Sequence, residues 1–522
     1  MQGASSEGPK PALQVESPMK PFARSLSMLM PLALMACGSE PEAAGPNVVL
    51  ISIDTLRPDH LGCYGYMRRT SPVIDGLAAN GMLFEQHISS APWTLPAHAA
   101  MFTSVPDSVH GVVDPIGVRL SEAFETLPES FQNAGYRTAG FFAGPYLHPA
   151  FGLGQGFDSY EDCVQVSGEE EVDQDNAWSM RDPVLRASHH GVTNDKVYSA
   201  WSKFIESAGP PAAEEKESFF AFVHLWDVHF DFAPPEPYDT MFDPDYEGRI
   251  TGRDFFYDPE INAAMPERDK QHIIALYDGE IAWTDFIVGK IKADLEARGL
   301  LANTIIVITS DHGTELFDHG HKGHRSQLYE EQIHIPLVIH YPGTVRRGKH
   351  AGLTRMIDLG PTLRELANLP AVGTSLGESL APIARGEIES RRAPPAVSEL
   401  MSVGRNLRSV RTETDKVIHN ATADRYWWFD LVVDGDEMVP KNLGADARST
   451  GLLGLYREVQ AELTAAIETR PGAAEQATIP AMVLQSLQAN GYVNPGVRED
   501  EPDDGTPADR DSDDGAPVDG DR

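Results

Sequence analysis

Two carboxylates and an imidazole stand at the ends of two matching apolar runs. Asp54 closes Asn47-Val48-Val49-Leu50-Ile51-Ser52-Ile53, and Asp311-His312-Gly313 follows the run Thr304–Ser310. Oxygen and imidazole donors placed this way could converge on one divalent cation. Taken alone, Asp-His-Gly also reads as a turn, with Asp and Gly present for backbone reasons. Its company favours chemistry, because His319, His321 and His324 follow closely. Between the two runs lies Ala91-Pro92-Trp93-Thr94-Leu95-Pro96-Ala97-His98, leading into a helix read from His98 to Phe102. A hydroxyl at such a turn sits near helix N–H groups that favour an incoming anion. Beside a metal its pKa would fall, making it a usable nucleophile. On local sequence Thr94 reads equally well as an N-cap. A third polar stretch, Trp226-Asp227-Val228-His229, follows another apolar run.

These residues need elements to hold them. Asn47–Ile53, Thr138–Ala143, Phe219–Leu225, Thr304–Thr309 and Ile335–His340 are continuous apolar runs, as expected of strands buried on both faces. Helices are expected from Pro72 to Ala79 and from about His272 to Arg298, closed by Gly299. Strands alternating with helices predict an α/β fold with a mostly parallel sheet covered on both sides. Ligands collect at the carboxyl ends of such strands, where the polar residues above lie. Beyond about residue 350 the runs shorten: Asp415–His419, Trp427–Val433 and a helix near Leu452–Ile467 suggest a smaller α+β domain. Residues 161–195 and 233–270 read as insertions, which at strand ends commonly set specificity.

The chain has 522 residues, 42 basic and 78 acidic, a net charge of −36. That balance argues against nucleic acid as partner, since phosphate binding needs Lys and Arg. Three cysteines cannot build a disulfide framework. Lys20 and Arg24 precede an apolar run that ends at Leu34-Met35-Ala36-Cys37-Gly38-Ser39. This is a basic segment, a short apolar segment and a small-residue cleavage site, too short to span a bilayer. The expected organisation is a signal or lipoprotein segment at 1–37, a spacer at 38–46, a main domain at 47–370, a small domain at 371–497 and an acidic disordered tail at 498–522. The tail combines high charge with Gly and Pro and lacks aromatics.

Taken in order, the motifs resemble the sulfatase branch of the alkaline phosphatase superfamily. They are Asn47–Arg57, Thr70-Ser71-Pro72-Val73-Ile74-Asp75, the Thr94–Thr103 block, His110-Gly111-Val112, Ser310–Gly313, and Leu328-Tyr329-Glu330-Glu331 through Leu337. The resemblance implies an alkaline-phosphatase-like three-layer sandwich with a small C-terminal sheet domain. It implies a metal site of Asp54, Asp311 and His312, with Thr94 as nucleophile. His229 matches a substrate or leaving-group histidine, and His324 or the neighbouring Arg325 falls where relatives contact the transferred group. His98 stands where true sulfatases carry an arginine, and so is expected at the substrate. Leu34-Met35-Ala36-Cys37 resembles a lipobox, implying export and a lipid anchor on the bacterial cell envelope.

Two departures shape the expected chemistry. Threonine's β-methyl blocks conversion to formylglycine, and Thr55 replaces the usual second aspartate of the first strand. The cofactor expected is a divalent metal, Zn²⁺, Mn²⁺, Ca²⁺ or Mg²⁺, the Asp-His pair suiting Zn²⁺ or Mn²⁺ better than Ca²⁺, and His229 with His324 leaves room for a second cation. The expected activity is hydrolysis of a sulfate or a phosphate mono- or diester on a small molecule, glycan or lipid. The competing readings are a phosphoethanolamine-type head-group transferase of the envelope and a non-catalytic binding lipoprotein.

Overall fold

The apolar runs become a central sheet. The structure, a computed structural model, describes residues 45–113, 117–164, 192–207, 218–402 and 405–489. The signal and lipobox segment, most of the spacer, the acidic tail and much of the first insertion lie outside these residues. The sheet is built from β1 (Asn47–Ile53), β2 (Met82–Ile88), β3 (Arg137–Phe142), β4 (Ser159–Asp162), β5 (Phe219–Leu225), β6 (Thr304–Thr309), β7 (His334–His340) and β8 (Gly348–Arg355), in the order β8-β2-β7-β6-β1-β5-β3-β4. Only β7 runs against its neighbours. This is the three-layer, mostly parallel α/β architecture the runs require.

Strand period sorts the residues of β1, β5 and β6 onto two faces. Val48, Leu50, Phe220, Phe222, Ile305 and Val307 enter one core cluster. Val49, Ile51, Ala221, Val223, Ile306 and Ile308 enter the other. The second face is covered by α1 (Pro72–Ala79) and by the long α3 (Glu267–Ala297). The latter begins five residues before the expected His272, because Pro266 precedes it and Glu267 and Asp269 occupy its first turn, where acidic groups favour the helix dipole. The first face is covered by α2 (Thr94–Thr103), every residue of which is buried.

The C-terminal part carries an antiparallel sheet of β9 (Ala396–Ser402), β10 (Arg405–Arg411), β11 (Asp415–Asn420) and β12 (Arg425–Asp430), followed by α4 (Ala447–Thr469). The strand expected through Val433 stops at Asp430. Val432 and Val433 are exposed at 71% and 75%, and Asp430 accepts the Val432 N–H in the following turn. Trp427, Trp428 and Phe429 are buried core residues. The small sheet is fastened to the large one through a buried charge cluster, in which Lys416 and Arg411 both bind Glu330.

Candidate active site

β6, β1 and β5 are adjacent, and their carboxyl ends carry Asp311, Asp54 and His224. The register pairs Ser52 with both His224 and Thr309. Ser52, Asp54, His224, Thr309 and Asp311 therefore share the face that lower down is lined by Leu50, Phe222 and Val307. All five are buried. Polar groups replace the apolar series at the top of this face, and the N-terminus of α2 packs over them.

Thr94 opens that helix. The N-cap position falls on Trp93, with no side-chain cap, so the capping reading of Thr94 is corrected and the helix begins four residues before the expected His98. The Thr94 hydroxyl instead faces the strand ends, 3.3 Å from His312 Nε2 and 3.5 Å from Asp54 Oδ2. His312 Nδ1 lies 2.8 Å from the Gly313 carbonyl. A carbonyl only accepts, so Nδ1 carries the proton and Nε2 presents a lone pair. Asp311 Oδ1 accepts the Thr55 and His312 amides at 3.3 and 2.9 Å, which leaves Oδ2 facing His312 Nε2 at 3.4 Å.

The loops carrying these groups are fastened to each other. Arg57 is buried and binds Asp59, Asp318 and the Thr314 carbonyl, joining the segment after Asp54 to the segment after Asp311. The Leu56 amide donates to Ser310 Oγ at 3.1 Å. Without a cation, burial pushes Asp54 up to about 6, against the opposing pull of His312 and the Thr94 hydroxyl.

Asp54, Asp311 and His312 form one of the groups able to hold a metal. Asp54 Oδ1 and Asp311 Oδ2 are buried without a hydrogen-bond partner. Two uncompensated carboxylate oxygens facing an imidazole lone pair would be costly in an apolar interior. A divalent cation resolves that cost, so the residues present fit one.

The other expected residues divide. His324 joins the site: it is buried, with its ring 4.5 Å from His312 and 4.9 Å from His229. Burial pushes it well below the usual imidazole range, and His312 and His229 add to the effect. His229 Nδ1 is held by the Phe230 carbonyl at 2.7 Å. Arg325 lies at the rim, its guanidinium 4.6 Å over the Trp93 ring and 3.3 Å from the Tyr146 hydroxyl.

His98 corrects its expectation. It is fully buried behind Thr94, with Nδ1 donating to the Thr94 carbonyl at 2.8 Å and Nε2 3.1 Å from Ser52 Oγ. It braces the helix start rather than facing a substrate. Burial lowers it to about 4, although Asp311 pulls the other way. His319 and His321 also stand apart. His319 binds Glu331 at 2.9 Å and stacks on Tyr329, and the His321 amide donates to Glu315.

Sequence reasoning missed Ser52 and His224. His224 is the one polar residue of β5, and that was the available signal. Its position opposite Ser52 follows only from the strand pairing.

The sulfatase family model matches residues 46–369, and the C-terminal model of N-sulphoglucosamine sulphohydrolase matches residues 318–468. A Delta 4,5-hexuronate-2-O-sulfatase of Bacteroides thetaiotaomicron is 25% identical over 459 residues, covering 82% of this chain and 90% of its own. Human iduronate 2-sulfatase is 25% identical over 448 residues, covering 73% and 78%. The phosphonate monoester hydrolase of Agrobacterium radiobacter shares the fold with a TM-score of 0.61 at 24% identity, over 80% of this chain and 95% of that one. With more than half its length matched by one family model, and with a three-layer sheet, a small C-terminal sheet and a carboxylate–imidazole centre at the strand ends, this chain belongs to the sulfatase family of ester hydrolases.

Proposed function

We propose that the chain is an exported, metal-dependent hydrolase of sulfate or phosphate esters that uses Thr94 as nucleophile. The observation that carries this reading is the Thr94 hydroxyl, turned away from its helix and placed 3.3 and 3.5 Å from two of the metal-holding side chains. A divalent cation held by Asp54, Asp311 and His312 would supply Lewis-acid stabilisation of anionic oxygens and would lower the pKa of the adjacent hydroxyl.

Thr94 Oγ1 gives up its proton to solvent water and forms the new bond to sulfur or phosphorus, while the ester oxygen departs with the electron pair of the broken bond. The start of α2 directs its N–H groups and dipole toward the transferred anion. As an imidazolium, with Nδ1–H donating to the Phe230 carbonyl, His229 gives the departing oxygen the proton of Nε2 and is left neutral. His324 sits against His312 beside the transferred group, and Arg325 supplies a fixed positive charge at the rim. Water then attacks the same sulfur or phosphorus, giving a proton to His229 Nε2, and Thr94 Oγ1 leaves with the electron pair of its bond and takes a proton back from solvent. Formylglycine plays no part, because the threonine methyl group survives every step. The hexuronate-sulfatase relative supports a sulfate ester on a sugar, while the threonine and the Asp-His pair also suit phosphate mono- and diesters.

Thr94→Ala should remove nearly all turnover on a panel of aryl sulfates and aryl phosphate mono- and diesters, whereas Thr94→Ser keeps part of it. With a slow substrate, intact-mass analysis should show one added sulfuryl or phosphoryl group on the peptide containing Thr94. Full activity in Thr94→Ala would make a water the nucleophile and refute the covalent route. Export to the cell envelope, through a lipid on Cys37, rests on the basic, apolar and lipobox-like pattern of residues 20–39.

A further inference from the structure

The two histidines beside the transferred group open onto a short series of rings. Phe230 directly follows His229, and its buried ring lies 4.1 Å from that of His229 and 5.3 Å from that of His324. Phe256, in the second insertion, stacks on Phe230 with centroids 5.5 Å apart and planes inclined by 28°. There the series reaches the surface: Phe256 is 46% exposed and Tyr257 beside it 54%. A single exposed aromatic residue is ordinary on a protein surface. This one is a single ring removed from both histidines.

The loop that carries Phe256 is pinned to the segments that carry those histidines. Asp231, two residues after His229, accepts the Asp254 and Phe255 amides at 2.6 and 2.8 Å. Lys322, two residues before His324, donates through Nζ to the Phe255 and Ile261 carbonyls at 2.7 and 2.6 Å, and to that of Asp258 at 3.3 Å. Gly323 follows with a φ of +83°, and a Cβ there would stand 3.1 Å from the Phe256 ring. The ring therefore lies against the backbone that leads into His324. These contacts set its position relative to both histidines before a substrate arrives, which removes an ordering cost from binding.

We propose that Phe256, backed by Phe230, is the platform on which the leaving group stacks, and that the substrate is an ester of a ring-shaped alcohol with an apolar face, a phenol or a sugar. This rests on the reading of His229 as the group that protonates the departing oxygen: an oxygen at His229 puts the remainder of the leaving group beside Phe230 and Phe256. Aromatic faces attract other flat rings in offset-stacked arrangements. The C–H face of a sugar presents apolar surface that the same platform removes from water. A methyl ester reaches His229 and gains nothing from the ring beyond it. The second insertion thus sets specificity through one side chain.

Phosphonates share a charged head and lack the ester bond, so they report binding without turnover. Phenylphosphonate, a phosphonate carrying a glucose ring and methylphosphonate are compared by calorimetric titration of the whole chain loaded with Zn²⁺ or Mn²⁺. At least one ring compound should bind about tenfold or more tighter than methylphosphonate, a gain for phenyl alone marking an aryl ester and for glucose alone a sugar ester. Phe256→Ala should bring that ratio below about threefold, and Phe256→Tyr, which keeps the ring, should preserve it. Ratios near one in the wild-type protein, or binding of none of the three, overturn the proposal without any variant. A wild-type ratio that survives Phe256→Ala overturns it as well, because the ring then binds elsewhere. Should Phe256→Ala fail to fold, the wild-type ratios still decide. A failed ring preference leaves the Thr94 route standing on its own test, and full activity in Thr94→Ala leaves the platform standing.

Discussion

Lys416 is fully buried between two carboxylates and carries the contact between the small sheet and the main domain. Its Nζ lies 2.9 Å from Glu437 and 3.2 Å from Glu330, while Arg411 binds Glu330 at 3.0 Å. Glu437 also accepts the Glu330 amide at 2.7 Å. Burial pushes Glu330 up, but Arg411 and Lys416 outweigh it and hold its carboxyl far below the usual range. For Glu437 burial wins and raises it, against Lys416, to about 7. Lys416→Met preserves volume and removes the ammonium. At 2.9 Å the lost attraction is about 6 kcal/mol at an effective dielectric constant of about 20. Removing one partner of a buried pair costs about 3–5 kcal/mol in net stability. Near pH 8 that cost should appear in full as a lower urea midpoint, followed by the fluorescence of Trp427 and Trp428. The sign of the pH dependence follows from Glu437. Without Lys416 its folded pKa rises further above the unfolded value of about 4.3, so the folded variant takes up a proton as pH falls. The deficit against wild type should therefore shrink as pH falls from 8 toward the wild-type Glu437 value of about 7, and level off below it, where both folded forms carry the proton. Glu437→Gln in the Lys416→Met background should recover much of the loss at pH 8, since no unpaired charge remains at that position. A deficit below about 1 kcal/mol at pH 8, or one independent of pH, would refute the reasoning. So would a double variant no more stable than the single one.

Asp311→Ala and His312→Ala should each lose bound metal with the fold retained, as read by elemental analysis and circular dichroism; wild-type metal content in either would contradict the site. His87 is buried with Nε2 unpartnered, and burial lowers it to about 3. It is thus neutral in the fold but protonates in the unfolded chain below about pH 6.5, and stability is lost as pH falls from there toward 3, at about 1.4 kcal/mol per pH unit. In His87→Asn the slope of stability against pH between 4 and 6 should drop by about one proton, and an unchanged slope would count against the assignment. Cys37→Ser should move the protein from the membrane to a soluble fraction without loss of activity; membrane fractionation like wild type would place the anchor elsewhere.

The strands were legible because burial on both faces demands unbroken apolar runs, and β1, β5 and β6 have them. β2 was not, since Glu85 and Gln86 interrupt its pattern where the chain is only half-buried. The ends of α3 and β12 depended on capping and turn contacts that periodicity does not see. In the site, Asp54 and Asp311-His312 were readable because each directly follows a strand, and strand ends are where an α/β sheet exposes its side chains. His98 and His224 were misjudged or missed for one physical reason. Each lies within an otherwise buried segment, where a histidine looks the same in sequence whether it braces a helix, fills a core or holds an ion. What separates these roles is which nitrogen has a partner. His98 has both engaged, by a carbonyl and a hydroxyl. His224 has one engaged and one facing a carboxylate. That difference arises from a register between strands more than 170 residues apart (224 − 52 = 172), so it exists only once the sheet has formed. The same pairing that buries Leu50 against Phe222 sets the polar groups above them side by side at the strand ends, and the apolar core of the sheet is thereby the scaffold of the candidate site.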